Sequence, residues 1–193
     1  MGSDVRLRDA VREDAPALAR LFLASSHGLS EHVWRQAALP GETPLLSGIR
    51  RYARDGGPFT WRCCLVAESE GRVAAMLHAF PMEAAAPDIG DDPVLRPYAE
   101  LHDPGSLRVS DLAVFPEFRG RGIGTLLLAA AQEKARALGL ARLSLTCFER
   151  NEGALRLYLR LGYREMARRP VVPHPCLAIA DGDVVLLGKP VTS

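Results

Sequence analysis

Hydrophobic and polar residues alternate in several short stretches of the chain, and each such stretch predicts a β-strand. Residues 5–11 alternate in this way. The stretches 61–69 and 72–82 predict two strands joined at Glu70 and Gly71, which is a hairpin signal. Four more strands are predicted over residues 106–115, 141–149, 163–172 and 183–191. The chain is therefore rich in strands from one end to the other.

Apolar residues with helical spacing separate these strands. Asp14 followed by Pro16 predicts a helix start, with a capping residue and a proline in the first turn, and the spacing continues to residue 26. Further helices are predicted over residues 31–39, 44–55, 94–101, 124–139 and 152–162. Gly139 and Gly162 end the last two of them.

The order of these elements predicts the fold class. In the second half, strands alternate with helices, which implies a right-handed crossover and locally parallel pairing. The first half supplies antiparallel strands. We therefore expect an α+β (mixed α/β) fold, a single domain over residues 4–191 with a mixed central sheet of about six to seven strands flanked by helices. Residues 83–105 are rich in Pro, Asp and Gly and predict a loop insertion.

Composition excludes several classes of function. The 193 residues are enough for one hydrophobic core, and a net charge of +1 gives no field that would attract a nucleic acid. No stretch approaches the roughly 18 apolar residues of a membrane span, so we expect no membrane contact. The cysteines lie in or beside apolar runs without a CxxC pair, which favours free thiols in a cytoplasmic protein. They are Cys63, Cys64, Cys147 and Cys176.

A glycine-rich loop between the strand 106–115 and the helix 124–139 is the strongest chemical signal. Residues 119–125 offer consecutive backbone N–H groups at a helix N-terminus, where phosphate binds well. A P-loop would end in Gly-Lys-Ser/Thr, which is absent here. A dinucleotide fingerprint, G-x-G-x-x-G, would need its third glycine three residues after the second, and a tighter turn after the strand. Both of these phosphate-loop types are therefore disfavoured.

Two blocks of sequence carry a resemblance to a known family. The stretch DLAVFPEFRGRGIG, which contains Arg119-x-x-Gly122-x-Gly124, resembles the acyl-CoA loop of the GNAT superfamily of N-acyltransferases. The stretch NEGALRLYLRLGYRE resembles that family's Asn-x-x-Ala-x-x-Leu-Tyr-x-x-x-Gly-Phe/Tyr signature. The predicted order of elements also matches the family. The resemblance covers nearly the whole chain and is strongest over residues 107–165.

The resemblance implies direct transfer of an acyl group, usually from acetyl-CoA, to an amine. Leu112, Ala113 and Val114 would pair with the pantetheine arm like an added strand. A bulge there would splay the central strands and open a groove for the thioester. The CoA pyrophosphate would rest on the loop residues, which are Arg119, Gly120, Arg121, Gly122, Ile123, Gly124 and Thr125.

Two residues of the second block acquire roles through the same resemblance. Tyr158 corresponds to a tyrosine that reaches the CoA sulfur and donates a proton to the departing thiolate, although a core tyrosine is the simpler interpretation of any Tyr on an apolar helix face. Asn151 opens the predicted helix, where it is a plausible cap, and in relatives it also contacts CoA.

The general base is the weakest part of the inference. Relatives with a base on the central strand carry it where this chain has Ser110 or Arg108, and neither is a base at neutral pH. Among several candidates, Glu100 is the one that we select as the catalytic base. His102, Asp103 and His78 are the other groups considered, and an amine bound in its neutral form would need only a water chain. Asp111 is expected on the opposite face of the strand.

The sequence gives conflicting hints about the acceptor. The acidic stretch 83–103 would attract a cationic amine, whereas Arg108 would favour a substrate that bears a carboxylate. Two alternatives to an acetyltransferase remain open, namely a longer acyl-CoA as donor and a CoA-binding sensor without turnover. We expect no metal, because His174 and Cys176 lack a second spaced pair of ligands. A homodimer is left open.

Overall fold

The computed structural model describes residues 5–85 and 88–191, and these form two compact units. Unit 1 comprises the residues up to Ala79 together with Asp111–Ala130, and unit 2 comprises Phe80–Ser110 together with the residues from Ala131 onward. Ala86 and Pro87 of the predicted loop insertion lie outside the described residues, as does residue 4 of the predicted domain. That residues 4–191 form one domain stays a prediction.

The described residues form seven strands and six α-helices. The strands are β1 (Arg6–Asp9), β2 (Cys64–Ser69), β3 (Arg72–Pro81), β4 (Ser106–Val114), β5 (Arg142–Phe148), β6 (Arg164–Pro170) and β7 (Asp183–Pro190). The helices are α1 (Ala15–Ser25), α2 (Leu29–Gln36), α3 (Pro44–Tyr52), α4 (Arg96–Glu100), α5 (Ile123–Ala137) and α6 (Glu152–Arg160). The strands hydrogen-bond in the order β1-β2-β3-β4-β5-β7-β6, so the predicted mixed sheet is confirmed.

Unit 1 contains the antiparallel strands of the first half and three helices. β1 pairs with β2, and β2 pairs with β3, both antiparallel as predicted. The apolar faces of α1 and α3 meet, and the rings of Phe22 and Trp34 stack at 5.7 Å between centroids. A Cβ at Gly48 would stand 2.3 Å from the Trp34 ring. Gly48 is therefore what allows α3 to approach this ring.

Unit 2 contains the strands of the second half. β5 and β6 both pair antiparallel with β7. β4 and β5 are parallel, and their ladder joins Ser106–Val109 to Arg142–Leu145. Both strands continue past the end of this ladder, which is the arrangement predicted as splayed central strands. Alternate residues of this pair, among them Leu107 and Leu143, are fully buried and form the apolar face.

Two predicted boundaries differ from the structure for local reasons. β2 begins at Cys64, because Trp61–Cys63 form a 3-10 turn in place of the first strand residues. Asp14 does not cap α1 with its side chain. Its carboxylate instead accepts hydrogen bonds from Arg8 Nη1 at 2.7 Å and from the backbone N–H of Val11 at 2.8 Å. Within the described part of the chain, no helix is long and apolar enough to cross a membrane.

Candidate active site

The glycine-rich loop lies in unit 1, between the end of β4 and the start of α5. Gly120 and Gly122 have φ angles of +75° and +77°, a backbone region that favours glycine. A Cβ built at either position would meet no heavy atom within 4 Å. The glycines are therefore required by the path of the backbone, and they leave open space above it.

The loop presents backbone donors at the N-terminus of α5. The first helical hydrogen bond runs from the N–H of Leu126 to the carbonyl of Gly122 at 3.1 Å. The N–H groups of Ile123, Gly124 and Thr125 precede that bond, so the helix offers them no acceptor. The helix dipole adds positive potential at the same end. This arrangement suits an anion such as a pyrophosphate.

Arg119 and Arg121 help to shape the loop. Arg119 Nε donates to the carbonyl of Val114 at 3.0 Å, and Arg121 Nη2 donates to the carbonyl of Glu117 at 3.0 Å. The Arg121 guanidinium also lies over the Phe118 ring, 5.3 Å from its centroid. Both arginines thus fasten the backbone between β4 and α5, and both remain exposed as positive charges beside the loop.

A buried carboxyl group stands on β4 beside the residues expected to bind pantetheine. Asp111 Oδ1 accepts a hydrogen bond from the Ser25 hydroxyl at 2.8 Å. Asp111 Oδ2 is buried and has no hydrogen-bond partner among the described residues. Burial raises the pKa of Asp111 to about 7, although Ser25 and the neighbouring Leu112 N–H act in the opposite direction. This carboxyl group therefore exchanges a proton near neutral pH.

His78, one of the residues considered as a base, lies in the aromatic core of unit 1. It is fully buried, and its Nε2 lies 2.7 Å from the carbonyl of Pro58. Its Nδ1 lies 3.3 Å from the hydroxyl of Tyr52. Both ring nitrogens are thus engaged. His78 serves the packing of β3 rather than a reaction.

In unit 2, the predicted second block forms helix α6. The Asn151 side chain accepts a hydrogen bond from the Ala154 N–H at 3.4 Å, which confirms Asn151 as the helix cap. Tyr158 lies two turns along the same helix and is 8% exposed. Its ring meets the ring of Tyr163 edge-on, with 5.7 Å between centroids. The aromatic contact holds the Tyr158 ring in place.

The other predicted acid–base residues in unit 2 already have strong partners. Glu100 is exposed at the end of α4, and its Oε2 accepts from Arg169 Nε at 2.6 Å. Asp103 is buried and accepts from Arg142 Nη2 at 2.7 Å. His102 Nε2 lies 2.8 Å from the carbonyl of Glu83. Each of these three side chains is therefore engaged by another group of unit 2.

A row of polar side chains, which we call the polar row, runs along one face of the parallel β4–β5 pair in unit 2. It consists of two cross-strand pairs, Ser106 with Ser144 and Arg108 with Thr146, and of Asp103, just before β4, paired with Arg142. Arg108 is only 8% exposed. The sequence signal for the row is the alternation in SLRV and RLSLT, which places Ser106, Arg108, Ser144 and Thr146 opposite the leucines. The alternation within each strand predicts the strands, but the pairing of the two polar faces depends on the register between β4 and β5.

Asp111 was also missed as an acid–base group, because strand alternation placed it on the face away from the expected groove. The pKa of Asp111 depends on burial and on the contact with Ser25, which lies 86 residues earlier in the chain. No local pattern in the sequence reports such a contact.

These features define a class of protein, one with an anion-binding loop between a central strand and a helix of a mixed sheet. The profile of the Acetyltransferase (GNAT) family matches residues 30–163. The chain therefore belongs to the GNAT acetyltransferase family.

Individual relatives agree with this family. The uncharacterized N-acetyltransferase YdgE of Bacillus subtilis is 39% identical over 67 residues, which are 34% of this chain and 43% of that protein. A solved structure described as an acetyltransferase is 25% identical with a TM-score of 0.65, covering 97% of this chain and all of the other. The structure of yncA from Salmonella typhimurium with its cofactor acetyl-CoA is 18% identical with a TM-score of 0.61, covering 99% and 96%. The matched region spans less than half the length of the curated relatives.

Proposed function

We propose that this protein is an N-acetyltransferase that moves the acetyl group of acetyl-CoA directly to a primary amine of a small molecule or peptide. The observation that carries the proposal is the loop of residues 119–125, with two left-handed glycines and the free first turn of α5. Membership of the GNAT family supports acetyl-CoA as the donor, and a neighbour in that fold carries this cofactor. The cytoplasmic location, the absence of a metal and the oligomeric state stay predictions.

The backbone would do most of the cofactor binding. The pyrophosphate of CoA would accept hydrogen bonds from the N–H groups of Ile123, Gly124 and Thr125, aided by the charges of Arg119 and Arg121. The further cofactor contacts expected from the family are Gly120, Gly122, Leu112, Ala113, Val114, Asn151 and Tyr158. Positioning of the thioester is the main requirement of a direct transfer.

The transfer itself needs one proton removed and one supplied. The amine nitrogen attacks the thioester carbon, a C–N bond forms, and the C–S bond breaks to release the CoA thiolate. A backbone N–H near Leu112 would stabilise the charge on the carbonyl oxygen. Tyr158 would donate its hydroxyl proton to the thiolate, and the proton lost by the amine would pass to a base.

Two carboxyl groups compete for the role of that base. Glu100, the prediction from the sequence, is exposed and held by Arg169 at 2.6 Å. Asp111 is buried on β4, adjacent to Leu112, and its pKa is raised to about 7 by burial. A base works best with a pKa near the working pH. The raised pKa and the lack of an arginine partner therefore favour Asp111 over Glu100 as the proton acceptor.

The test is binding of acetyl-CoA to the purified protein by calorimetry, with the Gly122→Glu variant compared to the wild type. A carboxylate at position 122 would occupy the pyrophosphate site and repel it, so binding should be lost. Gly41→Glu is a matched control, because Gly41 also has a left-handed φ of +79° and open space around its missing Cβ. The control separates the strain of a side chain at positive φ from an effect on the loop.

Acetyl-CoA affinity that falls only in Gly122→Glu supports the proposal, and so does turnover of any amine by the wild type. Undiminished affinity in Gly122→Glu would refute the loop assignment. Tighter binding of longer acyl-CoAs would indicate that one of them, and not acetyl-CoA, is the donor. Binding without turnover over a broad amine panel would indicate a CoA-binding sensor.

A further inference from the structure

The polar row on β4 and β5 contains two pairs that satisfy each other. Asp103, at one end, receives two hydrogen bonds from Arg142, from Nη2 at 2.7 Å and from Nε at 3.2 Å. In the middle, the hydroxyls of Ser106 and Ser144 lie 2.6 Å apart, and Ser106 also donates to the carbonyl of Asp103. These two pairs need no further ligand.

The third pair of the row does not satisfy itself. Arg108 Nη2 donates to the Thr146 hydroxyl at 2.9 Å. Arg108 Nη1 is buried and has no hydrogen-bond partner among the described residues. Thr146 is neutral. The Asp103 carboxylate favours the charged form of Arg108 electrostatically, but its hydrogen bonds go to Arg142.

An unpaired buried cation is expensive to keep. Moving an ion out of water costs several kcal/mol unless a counter-ion or hydrogen bonds compensate. Burial lowers the pKa of Arg108 to about 10, which still leaves the guanidinium charged at neutral pH. Because 8% of the residue's surface stays exposed, it is not completely sealed. A charged donor kept in this state indicates a ligand that supplies the missing acceptor.

The chemistry of the ligand follows from the guanidinium. Its planar, forked donors match a carboxylate, which accepts two parallel hydrogen bonds. Thr146 Oγ1 supplies one further polar group beside it. A phosphate dianion would call for more donors than one guanidinium and one hydroxyl, and the Asp103 carboxylate in the same row would oppose it. A single negative charge fits best.

We propose that Arg108 and Thr146 form a binding site for the carboxylate of the acceptor, so that the acceptors are amines that carry a carboxylate, such as amino acids or small peptides. The identification of the ligand as an acetyl acceptor rests on the proposed function. The anion site itself does not depend on it. The sequence suggests either a cationic amine, attracted by the acidic stretch 83–103, or an acceptor with a carboxylate, bound by Arg108. The inference favours the acceptor with a carboxylate.

The experiment compares amino acids with their carboxamides, in which the amine is unchanged and the negative charge is removed. We expect the wild type to use the acids at least tenfold better in kcat/KM. Arg108→Met should lose this preference through a higher KM for the acids, while its affinity for acetyl-CoA stays that of the wild type. Arg108→Lys should recover part of the preference, because it restores the charge without the fork.

Arg142→Met is the matched control, because it removes a guanidinium from the same row that is already paired with Asp103. Its selectivity for acids over amides should equal that of the wild type. Arg108→Met leaves no carboxylate without its partner, because Asp103 keeps its hydrogen bonds to Arg142, so the variant should fold. Loss of stability in Arg108→Met, with unchanged selectivity in both variants, would mean that Arg108 is structural.

Calorimetry with the amino acids alone keeps this test separate from the proposed reaction. Weaker binding of the acids to Arg108→Met supports the carboxylate site even when no amine is acetylated. Turnover of amines without preference for acids would overturn the carboxylate site and leave the acetyltransferase intact. A fall in acetyl-CoA affinity in Arg108→Met would assign the site to a phosphate of the cofactor instead.

Discussion

Two aspartates, one in each unit, show how differently the same buried side chain can be used. Asp103 in unit 2 accepts two hydrogen bonds from the guanidinium of Arg142, at 2.7 and 3.2 Å. Asp111 in unit 1 accepts one from the neutral Ser25 hydroxyl, and its second oxygen is buried without a partner in the described chain. The difference is that a cation, Arg142, contacts the Asp103 carboxylate, whereas only a neutral hydroxyl contacts that of Asp111.

The arginines of unit 2 repeat the contrast. Arg142 donates hydrogen bonds to the Asp103 carboxylate. Arg108 donates one to the neutral Thr146 hydroxyl, and its buried Nη1 has no hydrogen-bond partner among the described residues. A group whose charge is already matched contributes to the fold. A group whose charge is unmatched weakens the fold and is available for a proton or a ligand. By this criterion Asp111 and Arg108 are the residues of β4 that we propose as functional.

The largest effect is expected when the unmatched aspartate is altered. Asp111→Asn keeps the shape but cannot accept a proton, so turnover should fall about 100-fold, a typical contribution of a general base. Acetyl-CoA affinity should stay within about twofold of the wild type. In the wild type, kcat/KM should rise as the pH passes through about 7, where Asp111 loses its proton. The variant should lack this rise.

Glu100→Gln is the control for that measurement, since it makes the same chemical change at the carboxylate held by Arg169. We expect less than a threefold change in turnover and an unaltered pH profile. The reverse result, with Glu100→Gln inactive and Asp111→Asn active, would restore the interpretation from the sequence. Two active variants would indicate an amine that binds in its neutral form.

A smaller effect is expected at the matched aspartate. Asp103→Asn removes the charge that Arg142 contacts, and hydrogen bonds to charged groups contribute about 1.5–3 kcal/mol. Arg142 is 41% exposed and regains water when the pair is lost, so the free energy of unfolding should fall by only about 1–2 kcal/mol. Urea unfolding measures this change. No loss of stability would show that Asp103 is not the structural member of the comparison.

How far the sequence could anticipate these features depends on the distance over which each is encoded. The glycine loop and the cap at Asn151 are local, because a positive φ and a helix start each leave their mark on one short stretch. Alternation likewise predicted the strands and the mixed sheet. The boundary at Cys64 was missed because residues 61–63 continue the alternating pattern of the strand, although they form a 3-10 turn.

The matching of charges could not be predicted in the same way. Ser25 meets Asp111 across 86 residues, and Arg108 meets Thr146 across 38. Glu100 was the favoured base because it precedes β4 in the sequence. Its contact with Arg169 depends on the fold and could not be predicted from that position. A pKa depends on such neighbours and on burial, and neither is a property of the local stretch.

The last effect is a pH dependence of stability that has its origin in Asp111. Its pKa is near 4 in the unfolded chain and about 7 in the folded protein. The native state thus holds a proton that the unfolded state releases between these values. Stability from this group is complete below about pH 4 and is lost as the pH rises through about 7. Asp111→Asn has no such proton, so relative to the wild type it should gain a few degrees in Tm between pH 5 and pH 8.

Asp14→Asn supplies the opposite sign for this last comparison. Burial alone would raise the pKa of Asp14, but Arg8 and the Val11 N–H together hold it below its ordinary value. Its contribution is therefore lost only in acid, below about pH 4, and the difference in Tm between Asp14→Asn and the wild type should stay constant from pH 5 to 8. A constant difference for Asp111→Asn as well would mean that Asp111 is ionised throughout this range. That outcome would remove the reason to prefer it as the base.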